Sequence, residues 1–193
     1  MKTIHIRSLI FYLAALLSLV IAHADENSAR PLSIQFKGDS TLHAFSGIAS
    51  KSTMEIIPGE DDHTLVRVTV PVLGLDTDHN TRNKKMYGMF ESDKFTHITG
   101  EADLATILDP TAGSVALNMT IHGVTREIIA QRTTPDEGHV SLACELSLVA
   151  FDLTPPSVFG LINVDDKVEV SVSLDRSHLE TSASTTHEMK AIN

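Results

Sequence analysis

A period of two constrains this chain more than any other feature. In the stretch LVRVTVPV, Val66, Val68, Val70 and Val72 fall on one face, and Arg67, Thr69 and Pro71 on the other. The same alternation sets Ile34 and Phe36 against Ser33 and Gln35. It sets Val115, Leu117, Met119 and Ile121 against Ala116, Asn118 and Thr120. Val140, Leu142, Cys144, Leu146 and Leu148 alternate with Ser141, Ala143, Glu145 and Ser147, and Val168, Val170, Val172 and Leu174 with Glu169, Ser171 and Ser173. Successive side chains on a strand point to opposite faces, so each run has one face to bury and one to leave in water. Turn signals separate the runs: Pro58 to Asp62, Asp109 to Gly113, His122-Gly123 and Pro135 to Gly138. About eight strands at this spacing predict an all-β chain, an antiparallel sandwich or a closed barrel. Closing eight strands leaves an interior that is packed or that holds one elongated small ligand.

One segment breaks the alternation. From Thr81 to Phe95 the period moves toward that of a helix, with Met86, Met89, Phe90 and Phe95 on roughly one face. One short helix is therefore expected around residues 81–95, weakened by Gly88, with Asn80 or Thr81 as its cap. The run before it, Asp76-Thr77-Asp78-His79-Asn80, carries side-chain oxygens at alternate positions, as the start of a calcium loop does. Such a loop needs a Gly at its sixth position and a bidentate Glu at its twelfth. Thr81 and Tyr87 stand there, so the run reads as turn and capping chemistry.

The two ends read differently from the middle. Lys2 and Arg7, the apolar run Ser8 to Ile21 and the small residues of Ala22-His23-Ala24 have the form of a secretory signal peptide, residues 1–24. The apolar run is too short to span a bilayer, so no stable membrane insertion is expected. Residues 25–175 form the expected barrel domain. Residues 176–193 lack an apolar period and are expected to be an unstructured tail. After removal of the signal, 13 basic residues face 25 acidic ones, a net charge of −12. That charge disfavours nucleic acid and anionic membrane surfaces as partners. Trp is absent and aromatics make up 5% of the chain, which disfavours carbohydrate platforms.

Motifs for catalysis are missing. The ten histidines include no pair within the domain at the spacing of a local metal site, although His43 and His122 each sit beside a turn. No G-x-S-x-G and no Gly-rich phosphate loop is present. Cys144 lies on the apolar face of its strand, where a thiol is usually inert packing. The expectation is no enzyme, no metal and no catalytic residue.

Four segments in register resemble the YceI-like family of periplasmic, lipocalin-like lipid-binding barrels. They are Ser40-Thr41-Leu42-His43-Ala44-Phe45-Ser46-Gly47; Leu75-Asp76-Thr77 with Arg82-Asn83-Lys84-Lys85-Met86 and Phe90 to Ile98; Ile121-His122-Gly123-Val124-Thr125-Arg126; and Pro155 to Gly160 followed by Val164 to Val168. The chain departs from the family pattern at Thr96, where a Pro is usual, and at Gly100, where an aromatic is frequent. Asn83 and Lys85 stand where Asp and His are common. The resemblance implies an eight-stranded antiparallel lipocalin-like barrel in the periplasm, binding a quinone tail or polyprenyl lipid as a carrier or sequestering protein. It requires no cofactor beyond that lipid. The lumen and mouth candidates are Phe36, His43, Phe45, Val68, Val70, Met86, Met89, Phe90, Leu117, Met119, Leu142, Leu146, Phe159 and Val170. The mouth is expected near the 81–95 helix and the Pro155–Gly160 loop. A ligand-free barrel serving as an interaction or stress-protective module is the alternative, and a homodimer is compatible with either reading.

Overall fold

The computed structural model describes residues 32–60, 63–133, 138–158 and 161–182. The expected signal peptide, Phe159 and the last part of the tail lie outside them. The alternating runs become strands: β1 (Leu32–Ser40), β2 (Phe45–Ala49), β3 (Thr53–Pro58), β4 (Thr64–Pro71), β5 (Leu75–Asp76), β6 (His97–Asp103), β7 (Ser114–Ile121), β8 (Val124–Arg132), β9 (His139–Ser147), β10 (Ser157–Val158) and β11 (Ile162–Asp175). Helix α1 spans Asn80–Met89 and α2 spans Leu104–Leu108. A third helix, α3, covers 176–182. Short 3-10 turns occupy Val72–Gly74 and Val149–Phe151.

All strand pairs are antiparallel, and the path runs β3-β4-β6-β7-β8-β9-β11-β1-β2-β5, with β10 paired to β11. Eleven strands stand where about eight are expected, because two long strands are bent. β2 continues into β3 across residues 50–52, and β4 into β5 through the first 3-10 turn. The bends pair with each other, the Ser50 amide donating to the Gly74 carbonyl at 2.8 Å. With each bent strand counted once and β10 set aside, eight strands remain, and they curl around one apolar interior.

Closure is incomplete on one side. β9 pairs with β11 over the nine positions from Lys167↔Ser147 to Asp175↔His139. Its ladder with β8 is limited to Gln131↔Ala143 and Arg132↔Leu142. Beyond those pairs the second 3-10 turn packs between the two strands. Phe151 is buried there, and Arg126 donates from Nε to the Ala150 carbonyl. The apolar turn takes the space a closing ladder would need.

Two glycines are required by geometry. The β7–β8 hairpin turns on His122 and Gly123, with φ of 52° and 79°. Two left-handed residues match the twist of the strands they join. A Cβ on Gly123 would lie 2.8 Å from the Phe95 ring. On β2, Gly47 faces Phe36 across the β1 ladder, and a Cβ there would lie 2.6 Å from the Asp76 carbonyl oxygen. The glycine of the S-T-L-H-A-F-S-G segment thus lets an aromatic ring and the β5 backbone pack close.

Two expectations are corrected. The helix ends at Met89, and Glu91 follows at a φ of 47°. Phe95 therefore leaves the helix face and packs against His122, the ring centroids 4.2 Å apart and the planes tilted by 57°. The tail also begins later than expected, because residues 176–182 are helical. Asp175 starts that helix, its Oδ1 accepting from the His178 amide at 2.8 Å and the Ser177 hydroxyl at 2.6 Å. Leu179 is fully buried, at 0% exposure. A single apolar residue produces no period, so the segment reads as loose in sequence although burying its leucine contributes about 1.5–3 kcal/mol.

Candidate functional site

The inner faces of the strands enclose a cavity of about 500 Å³, open at one end. Its wall is aliphatic and aromatic, as the alternation dictates: side chains inward at every second position of β1, β4, β7, β9 and β11 meet around one axis. Phe36, Val68, Val70, Leu117, Met119, Leu142, Leu146 and Val170 all lie on that wall. His43, Phe45, Met86, Met89 and Phe90 line it as well, toward the end where β1 turns into β2 and α1 crosses. One cavity thus brings together every candidate residue the structure describes. Ile34, Ile98, Val172 and Leu174 also line it and were not singled out as site residues; Ile34, Val172 and Leu174 belong to strands whose inward positions were legible, whereas no alternating run was read over β6, which carries Ile98. Cys144 faces the same space, and burial pushes its thiol pKa above the ordinary value.

The open end is built around the segment that resembled a calcium loop. Asn83, buried at 9% exposure, ties the end of β5 to α1. Its Oδ1 accepts from the Thr77 amide at 2.9 Å and the Thr77 hydroxyl at 2.7 Å, and its Nδ2 donates to Asp76 Oδ1 at 2.7 Å. The Asn83 side chain first, and then the Asp78 amide, hold the Asp76 carboxyl below its usual pKa range. The Tyr87 hydroxyl donates to the Leu75 carbonyl at 2.7 Å. Burial, then the Asp76 charge, pushes Tyr87 up, which keeps it a donor. The helix cap is His79, whose Nδ1 accepts from the Arg82 amide at 3.3 Å, in place of the expected Asn80 or Thr81. Of the acidic side chains of the run, Asp76 is bonded into this turn, accepting from the Asp78 amide at 2.9 Å and from Asn83 Nδ2. Among the described residues no group of three or more His, Cys, Asp or Glu is placed to hold a metal.

Two further segments complete the rim. The loop of residues 41–44 is stitched to the start of β11: the Thr41 amide donates to the Asn163 carbonyl at 3.0 Å, and the Asn163 amide to the Thr41 hydroxyl at 2.9 Å. Pro156, Ile162 and Val164 line the cavity beside them. Leu42 and Leu161 stay exposed, at 64% and 79%. Sequence reasoning passed over His79, Arg82 and Lys85, which also line the opening. Their signal was helical spacing: Arg82, Lys85, Met86 and Met89 fall at i, i+3, i+4 and i+7, one stripe of α1.

The opposite end is sealed. Asp103 caps α2, accepting from the Thr106 amide at 2.8 Å. Arg132 donates to the carbonyls of Ala112 at 2.8 Å, Ile107 at 2.9 Å and Asp109 at 3.0 Å. Arg176 donates to Leu108 O at 3.3 Å. Ile107 of α2 is buried and forms part of the cavity floor.

Fold and cavity define the class: an antiparallel β-barrel with one apolar lumen, a floor made by a short helix and a mouth crossed by another. The YceI-like domain family model matches residues 27–175, and the chain belongs to that family. A search of curated proteins finds no match. Among solved structures, BcnA of Burkholderia cenocepacia is similar at a TM-score of 0.55 and 13% identity, over 74% of this chain and 94% of that one. A polyisoprenoid-binding domain from Saccharophagus degradans is similar at a TM-score of 0.53 and 13% identity, over 74% and 91%. A mutant YceI protein of Campylobacter jejuni follows at 0.51 and 16%, over 67% and 82%. At these identities the likeness is one of fold.

Proposed function

We propose that this protein binds a long apolar lipid of the isoprenoid type, a quinone tail or polyprenyl chain, in the barrel lumen. It acts outside the cytoplasm as a carrier or sequestering protein and does so without catalysis. The observation that carries this reading is the apolar cavity itself. Its volume of about 500 Å³ falls within the range of small-molecule sites, and its strand wall is apolar apart from Ser40 and Glu101, whose side chains are bonded to the His43 carbonyl and to Arg67. Burial contributes about 0.8 kcal/mol per methylene-sized group, so a dozen such groups supply roughly 10 kcal/mol before the costs of ordering a flexible chain. Family membership supports the reading, as does the likeness to a domain described as polyisoprenoid-binding. The amino-terminal segment supports export.

Native mass spectrometry of the protein purified from its own source, followed by lipid identification, tests the proposal. A stoichiometric prenyl lipid or quinone is the expected result. Protein free of lipid that also takes up none from a mixed lipid extract would overturn it and leave the interaction module.

A further inference from the structure

The wall of the cavity changes character along α1. The stripe that faces the lumen begins with Arg82 and Lys85 and continues with Met86 and Met89. The cations stand at the helix start and the thioethers lie further in. Neither cation has a carboxylate partner among the described residues; the ion pairs lie elsewhere. Arg82 is half-buried, its guanidinium 5.0 Å from the centroid of the Phe45 ring, which also lines the cavity. That contact holds the charge against the apolar wall and leaves the planar donors of the guanidinium unpaired by protein oxygens.

Such placement needs a reason in a chain of net charge −10. Carboxylates are plentiful here, and at the sealed end Arg132 and Arg176 both have acceptors. A half-buried charge beside an apolar surface, as Arg82 is, loses hydration unless something pairs with it, and Lys85 stands exposed one turn on along the same stripe. The first turn of α1 contains no acidic residue that would compete, and its free amides add positive potential at the same place. His43 also lines the cavity.

We propose that the preferred ligand is a long-chain amphiphile with an anionic head, a phosphate or a carboxylate. Arg82 and Lys85 pair with the head at the mouth, and Met86, Met89 and Phe90 receive the start of the tail. This deepens the lipid-binding reading and rests on it. It distinguishes charged lipids from neutral quinones and free polyprenols.

The test uses delipidated protein and matched ligands that share a tail: geranylgeranyl phosphate against geranylgeraniol, and palmitate against hexadecanol. Affinities are read by displacement of an apolar fluorescent probe. A charged hydrogen-bonded pair predicts that the anion binds roughly tenfold or more tightly than its alcohol. The advantage should shrink as salt rises. In the Arg82→Gln/Lys85→Gln double variant the ratio should fall toward one, while Lys84→Gln, exposed and off the cavity wall, should keep it. Preference in only one of the two pairs assigns the head as phosphate or carboxylate. Equal binding of anion and alcohol overturns the head-group assignment and leaves the lipid reading standing. An anion preference that survives the double variant in folded protein, checked by its melting curve, also overturns it. Failure of all four ligands to bind removes both proposals.

Discussion

The two ends of the barrel treat charge in opposite ways. At the sealed end Arg132 spends its donors on backbone carbonyls of and after α2, and Arg176 donates to another. At the mouth Arg82 and Lys85 line the opening with no protein acceptor among the described residues. The same residue type therefore does two jobs. Where carbonyls at a helix end are half-buried, a guanidinium satisfies them and contributes to stability. Where a cation faces an open apolar cavity, it contributes little to the fold and is available to a ligand. Polar groups within the mouth are not all spare: Asn83 and Tyr87 are bonded into the turn that positions α1.

The contrast can be broken by substitution, and stability effects should be graded along it. Leu179→Ala tests the sealed end most severely. A fully buried leucine under the barrel should cost about 2–5 kcal/mol in urea unfolding, and no change would show that α3 is dispensable. Arg132→Ala should follow at about 2 kcal/mol, because it strips donors from several carbonyls at once. Asn83→Ala should cost about 1–3 kcal/mol by leaving the Thr77 amide without its acceptor, and it should also loosen ligand retention by freeing α1. Arg82→Gln should shift apo-protein stability by less than about 0.5 kcal/mol, since its charge pairs with nothing that folding requires. A loss as large as that of Arg132→Ala would erase the distinction between the ends.

The acid limb offers a gentler test. The Ser147 hydroxyl, and then the Val149 amide, hold Asp166 below its usual carboxylate pKa. A carboxylate with a depressed folded pKa contributes stability that is complete above its unfolded pKa, near pH 4, and is lost as pH falls through the lower folded value. Thermal melts at falling pH should therefore show stability dropping below about pH 4, and Asp166→Asn should flatten that drop. An unchanged slope would mean that Asp166 does not hold the turn that fills the β8–β9 seam.

Sequence legibility followed the physics of each element. The strands were readable because burial of one face enforces a period of two over many residues, as Val66 to Val72 and Val140 to Leu148 show. The lumen candidates were readable for the same reason, since inward positions of neighbouring strands meet around one axis. His79 as the cap, Asn83 as the tie and Leu179 as the plug were not readable. Each acts through a single contact with a segment distant in sequence or folded back on it, and a single contact leaves no pattern. The bend that turns two strands into four pieces, and the apolar turn that parts β8 from β9, also depend on packing across the barrel.

By itself, then, the sequence determined an all-β chain with one apolar face per strand and one helical interruption, because local alternation and propensity need no partner to be expressed. The resemblance placed the mouth near the helix, but only the tertiary structure decided what keeps that end open and the other shut. That choice depends on where Arg132 finds carbonyls and where Arg82 finds none, and such pairing exists only once the strands have curled together.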